Sequence, residues 1–273
     1  MWSTKEFMWI KFIFRNRRLL FLTISFQSIF LLGTAQSELK LWYNKSATNW
    51  NEALPLGNGR IGAMVFGGAQ EDLIQLNEET LWSGGPVNTN PNPMAKQHLP
   101  AIREALFKED YQTAEELTKN MQGLFTESYQ PLGDLIIKQH FQGEVANYYR
   151  DLDISKAIST TRFTVNDVTY TREYFISAPD QVMVVSLSSN KKNSITADIN
   201  TQSQLFAKNE VASNTIIMKG QAPSHVDPSY MQTMEVAVVY NDPTKCDGMR
   251  FQLGVRAQST DGEISSSEKG LHI

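Results

Sequence analysis

The 273-residue chain carries 25 basic and 29 acidic residues, a net charge of −4, with a mean hydropathy of −0.33. A mildly acidic chain with no basic run beyond its first 35 residues argues against nucleic acid as a partner. The one cysteine, Cys246, excludes an intramolecular disulfide, and His98, His140, His225 and His272 lack metal-ligand spacing, so neither metal nor other cofactor is expected.

Residues 1–35 read as an export signal. Lys5, Lys11, Arg15, Arg17 and Arg18 form a basic segment, Leu19 to Leu32 is apolar, and Gly33-Thr34-Ala35 offers the small residues that signal peptidase prefers. The apolar run is broken by Thr23, Ser25, Gln27 and Ser28 and falls short of the ~20 residues of a spanning helix. Cleavage before Gln36 is therefore expected, rather than a membrane anchor. It takes five of the 25 basic residues and one of the 29 acidic ones, leaving 20 against 28. The expected destination is the periplasm, the cell surface or the medium of a bacterium, with no membrane attachment after cleavage.

The remaining residues, 36–273, suffice for one large core. Trp50 to Pro86 reads as two short strands around a glycine turn, closed by a polar and aromatic cluster. Leu54 to Gly62 superficially resembles a phosphate loop, but Gly62 to Phe66 continues as a strand, so a glycine-rich hairpin entry is expected instead. A helical insertion near residues 95–122 follows, with Pro100 placed as the first residue of a helix running to about Lys108. Asp110 can cap a second helix, whose Tyr111, Ala114, Leu117 and Met121 form one stripe for packing on the sandwich, and Gly123 can close its end.

Ala157 to Val165 and Val168 to Ile176 alternate around Asn166-Asp167, the pattern of a hairpin. Val182 to Leu187 is apolar on both faces and predicts a central strand covered on both sides. Ser194 to Asn200, Thr215 to Lys219, Met234 to Tyr240 and Met249 to Ala257 add further strands. Glu263 to Ser267 and Gly270 to Ile273 read as the arms of a hairpin whose second arm has barely begun, which suggests a domain truncated at its C-terminal end. These elements predict a mainly β fold: a large antiparallel β-sandwich (a super-sandwich) with one short helical insertion.

Two clusters carry groups that no strand periodicity requires. The first contributes Asn77, Glu78 and Trp82. Glu78 and Glu79 are neighbours on an extended segment and point to opposite faces, whereas a glycosidase needs two carboxylates ~5–9.5 Å apart across a sugar. For Trp82, packing or domain contact outweighs direct stacking on a sugar. The second cluster, Gly220 to Tyr230, contributes His225, Asp227 and Tyr230 on a loop fixed by Pro223 and Pro228. A Ser224-His225-Asp227 triad is disfavoured, because triads are assembled from separated segments. Both clusters are expected at one end of the sandwich, as a substrate rim or a domain interface.

The stretch from Trp50 to Pro86 resembles the opening signature of the N-terminal domain of glycoside hydrolase family 95, the α-L-fucosidase family. The similarity continues through Leu41-Trp42-Tyr43, Tyr129 to Asp134, Tyr149 to Asp153, Tyr170 to Glu173, Pro179 to Val182 and Ala222 to Pro228. The N-terminal domain of family 65 enzymes is a more distant relative. The resemblance implies a β-sandwich, a helical linker, an (α/α)6 barrel holding the active site, and a C-terminal β domain. It also implies inverting hydrolysis of terminal α-L-fucosyl, or in some members α-L-galactosyl, linkages. The implied acid is a barrel Glu, with water activated by barrel Asn residues and an Asp. None of those positions falls within residues 36–273, so no catalytic residue is assigned.

Two functions compete at this level. One is the N-terminal scaffold of an exported α-L-fucosidase, inactive without its barrel, whose partner is a fucosylated or α-L-galactosylated oligosaccharide. The other is a free-standing carbohydrate-binding or adhesive β-sandwich without hydrolase activity. The unfinished hairpin favours the first.

Overall fold

The structure is a computed structural model that describes residues 39–86, 89–123, 126–230, 236–240 and 248–273. The expected export signal at residues 1–35 lies outside them, as do Met234 and Glu235 of one expected strand. The chain opens with β1 (Lys40–Tyr43), β2 (Leu54–Gly57), β3 (Ile61–Val65) and β4 (Glu71–Glu78), then helices α1 (Ala95–Phe107) and α2 (Tyr111–Lys119). It continues with β5 (Gly133–Gln139), β6 (Val145–Asp153), β7 (Ile158–Val165), β8 (Val168–Ser177), β9 (Val182–Ser189) and β10 (Ala197–Gln202). There follow β11 (Phe206–Ala212), β12 (Thr215–Gln221), β13 (His225–Val226), β14 (Val238–Val239), β15 (Arg250–Arg256), β16 (Ser265–Ser267) and β17 (Gly270–His272).

One sheet runs β1-β6-β7-β8-β9 and a second runs β16-β17-β10-β5-β4-β3-β2, while β11-β12-β15 and β13-β14 form smaller sheets. The two large sheets face each other across one core. Alternation along β4 and β5 turns Ile74, Leu76, Leu135 and Ile137 inward, where they join Leu152 and Tyr174 of the opposite sheet. Burying such side chains at ~25 cal/mol per Å² is what holds the layers together. The fold is thus the antiparallel sandwich that the strand pattern predicts, with two helices inserted between β4 and β5.

The hairpin at Asn166-Asp167 forms as expected, with Asn166 at φ 52°. The last hairpin also forms. β17 pairs with both β16 and β10, and Leu271 is buried in the core.

Four expectations are corrected. β9 is an edge strand among the described residues, paired only with β8. Its inward Met183, Val185 and Leu187 pack on the core, and Val184 on the other face is half-buried opposite Phe175. A cross-strand aromatic neighbour, and not a covering layer, accounts for its second apolar face. Helix α1 begins at Ala95, and Pro100 lies inside it, where its missing N–H removes one backbone bond. In α2, Asp110 caps as expected by accepting from the Thr113 N–H, but the apolar stripe closes on α1. Ala114, Ile102 and Ala105 are buried yet stand outside the hydrophobic cluster of the sandwich, and Tyr111 is exposed. Asn120, not Gly123, ends α2, and the Asn92 side-chain amide donates to the carbonyls of Asn120 and Gln122.

The insertion leaves and returns at one place. Trp82 forms a β-bridge with Tyr129, the Ser83 N–H donates to Ser128 O, and the Gln130 N–H donates to Leu81 O.

The core also holds a charged knot. Asp72 shares the inward face of β4 with Ile74, and Arg172 and Tyr174 share that of β8. Asp72 Oδ1 accepts from the N–H groups of Gly67 and Gly68 at 2.8 and 3.1 Å, and Oδ2 accepts from the Tyr174 hydroxyl. Arg172 lies 3.5 Å from Asp72 and donates to Gly68 O, Ala69 O and Gln139 Oε1. Burial pushes the Asp72 carboxyl up, against the pull of Arg172 and these donors. Burial also raises the Tyr174 hydroxyl well above its usual range, so it remains a donor. The knot fastens the β3–β4 turn to the opposite sheet. At Gly67 (φ +71°) a Cβ would meet Thr161, Tyr148 and Arg150 at 2.9–3.0 Å, so the turn can seat this closely only with glycine.

Candidate functional site

The end of β4 runs directly into the first predicted cluster. Glu78 accepts from Arg60 Nε at 2.8 Å and from the N–H and hydroxyl of Thr80, which turns the chain out of the strand. Burial works against its charge, but Thr80 and Arg60 hold its carboxyl below the usual glutamate range. Asn77 donates through its side-chain amide to the Tyr129 hydroxyl, which in turn donates to Glu78 O at 3.1 Å. Trp82, 42% exposed, meets Tyr129 edge to face at 5.4 Å and donates through Nε1 to Glu79 O. Asn77, Glu78 and Trp82 therefore fix the return of the insertion, while one side of Trp82 stays open to solvent.

The second cluster joins this one through a residue that the sequence reading did not single out, Glu127. Its Oε2 accepts from the Ser83 hydroxyl at 2.7 Å and from the Val226 N–H at 3.2 Å. Its Oε1 lies 2.9 Å from His225 Nδ1, and His225 Nε2 lies 2.9 Å from Asp227 Oδ1. His225 therefore bridges two carboxyl groups from separate segments, and the three side chains form a clasp. Burial alone would push the Glu127 carboxyl up. The donors from Ser83, His225 and the Val226 N–H outweigh it and hold the group below its usual range.

Backbone bonds reinforce the join. The Gly84 N–H donates to Pro223 O, and the Ser128 hydroxyl donates to Val226 O. Gly84 sits at φ +84°, and a Cβ there would meet Glu127 Cγ at 2.6 Å, so glycine is what admits the carboxylate.

The structure thus brings Asn77, Glu78, Trp82, His225 and Asp227 to one end of the domain. Tyr230 is 81% exposed and stands apart from the clasp. Ser224 donates its hydroxyl to Val239 O at 3.0 Å, which turns it to β14 and away from a triad geometry. The Ser83 hydroxyl donates to Glu127 and accepts from the Ser128 N–H. The arrangement positions loops.

Two other histidines meet at the surface. His140 Nε2 and His272 Nδ1 lie 2.6 and 2.7 Å from the two oxygens of Asp198, and their hydrogen bonds hold that carboxyl below its usual range. Among the described residues no group of three or more His, Cys, Asp or Glu side chains is arranged to hold a metal ion.

Comparison with known proteins bears on most of the chain. A model of the glycosyl hydrolase family 65 N-terminal domain matches residues 41–273. The chain is 30% identical over 236 residues to α-L-fucosidase 2 of Arabidopsis thaliana, covering 84% of this chain and 28% of that protein. It is 34% identical over 199 residues to probable α-fucosidase A of Aspergillus niger, covering 68% and 24%. With probable α-fucosidase A of Aspergillus oryzae it is 33% identical over 167 residues, covering 58% and 22%. The chain spans about a quarter of the length of these relatives. The sandwich, the family model and the α-fucosidase relatives agree: the chain belongs to the glycosyl hydrolase N-terminal domain family that this model describes, in the form carried by the α-L-fucosidases of family 95.

Proposed function

We propose that this chain is the N-terminal scaffold of an exported α-L-fucosidase. The longer protein hydrolyses terminal α-L-fucosyl linkages with inversion, on a barrel that lies outside these residues. Residues 1–35 direct export and are removed, and residues 36–273 act as the scaffold without turnover of their own. The observation that supports this most is the Glu127 clasp. It locks two loops, joined through partners 98 residues apart in sequence, into one rigid end that presents Trp82 and Tyr129 outward. A rigid polar end with an open aromatic suits the support of a neighbouring domain's pocket.

The test is an assay on 2′-fucosyllactose and on a chromogenic fucoside. The purified chain gives no turnover. In a full-length relative, Glu127→Ala and Trp82→Ala lower kcat/KM while the sandwich stays folded by circular dichroism. Turnover by the chain alone, abolished by replacing one of its carboxylates, would overturn the proposal. N-terminal sequencing of the secreted form beginning at Gln36 supports the export arm, and retention in a carbonate-washed membrane fraction refutes it.

A further inference from the structure

A sheet edge offers unpaired N–H and C=O groups to any other chain, and proteins blunt their edges with charge, proline or short length. Most edges here are blunted. β2 holds Pro55, β1 and β16 are four and three residues long, β11 carries Lys208 and Glu210, and β15 carries Arg250 and Arg256. β9 is the exception. Its eight residues contain neither a charge nor a proline, and among the described residues it pairs with β8 alone.

The register shows which backbone groups turn outward. The Asn190 N–H donates to Thr169 O, just beyond the end of the two strands. Bonded pairs recur at every second residue of an antiparallel ladder. Ser188, Ser186, Val184 and Val182 therefore bond to β8, opposite Thr171, Glu173, Phe175 and Ser177. Met183, Val185, Leu187 and Ser189 turn their N–H and C=O groups away from it. On the outer face Val184 has Phe175 as its neighbour, whereas Val182 lies opposite Ser177 and stays 46% exposed.

The flanking charges select the occupant. Asp180 stands just before β9, Lys191 and Lys192 just after it, and all three are exposed. The complement of this edge is an antiparallel strand with an acidic start and a basic end. β9 itself has that pattern. A two-fold axis at Ser186 sets Val185 opposite the copy's Leu187 and Met183 opposite the copy's Ser189, so all four outward-turned residues gain partners. The same register brings Asp180 to the Lys191-Lys192 end of the copy.

We propose that β9 pairs antiparallel with β9 of a second copy, joining two five-stranded sheets edge to edge. The association does not depend on the fucosidase reading.

The purified chain is followed by sedimentation velocity over roughly 1 to 200 μM. A monomer–dimer equilibrium is expected. Ser186→Lys sets like charges face to face at the axis and weakens association about tenfold or more. Within one chain that substitution faces Glu173 on β8, so the fold is retained, as melting curves check. Asp180→Lys weakens association a few-fold, and adding Lys192→Asp restores it. Amide exchange at Val185 and Leu187 is slow in the dimer and faster in Ser186→Lys. A chain that stays monomeric throughout overturns the proposal: protected Val185 and Leu187 amides would then assign the edge to another segment of this chain, and open ones to a foreign strand. A dimer unchanged by Ser186→Lys and by Asp180→Lys overturns it too, because the copies then meet elsewhere.

Discussion

Asp72 and Glu127 are both carboxylates that gather donors from several segments, yet they sit in opposite surroundings. Asp72 lies between the sheets with Arg172 and Tyr174, none of them reached by solvent, and it ties one turn to the opposite layer. Glu127 lies at the end of the domain with its side chain 30% exposed, and it ties two loops to each other. The first cannot open without separating the layers. The second can loosen while the sandwich persists, because its partners are loop residues and a two-stranded ribbon. Structural charge is placed where water is excluded, and positioning charge where another surface can still meet it.

The contrast can be broken most directly at Arg172. Arg172→Met leaves Asp72 buried without its cation and should cost about 4 kcal/mol, read as a melting point lower by roughly 10 °C. An unchanged melting point would mean that the knot is idle.

Glu127→Ala should cost about 2 kcal/mol, since it leaves Ser83, His225 and the Val226 N–H without their acceptor. Here the loss is local. Limited proteolysis should open the segment around Pro223 to Tyr230 before the sheets unfold, and simultaneous loss of both would erase the distinction. Gly84→Ala tests the same clasp from its other side, because the added methyl collides with Glu127 and the φ of +84° is strained. It should match Glu127→Ala in direction.

Acidification gives a smaller, graded effect. The folded-state pKa of Glu127 is depressed, so its contribution is fully present above the ordinary glutamate value of about 4.3 and is lost as pH falls through the lower, folded value. Amide exchange at Val226 should rise over that acid range in the wild type, and Glu127→Gln should flatten the profile. The smallest change is expected from Trp82→Ala, about 1 kcal/mol for an edge-to-face contact that is still partly wet. A larger loss would make Trp82 a structural residue of the isolated domain.

Much of the fold was legible because antiparallel strands with one wet face write their period into the sequence. The hairpin of β7 and β8 is the clearest case, since alternation and a turn residue tolerant of positive φ agree. The buried knot was not legible. Asp72 is in phase with Ile74 and Leu76, and Arg172 with Tyr170 and Tyr174, but a charge within a strand reads as solvent-facing until its partner is known. The site was half legible. Asn77, Trp82, His225 and Asp227 stood out by type, and their neighbours in space did not. Glu127 meets His225 across 98 residues, and its local context, Thr126-Glu127-Ser128, carries no periodicity to mark it. The position just before the Tyr129–Asp134 block was the only available hint.

The bridge between Trp82 and Tyr129 has a consequence for how this domain can change. Everything from Gly85 to Thr126 is a detour whose two ends already lie side by side. Lengthening such a detour costs only about 0.6 kcal/mol per doubling, and shortening it to a few glycines and serines leaves the paired ends in register. The helical pair behaves as a cassette: a lineage can extend, exchange or discard it, altering the reach and outline of the domain, while the sandwich beneath keeps its sequence.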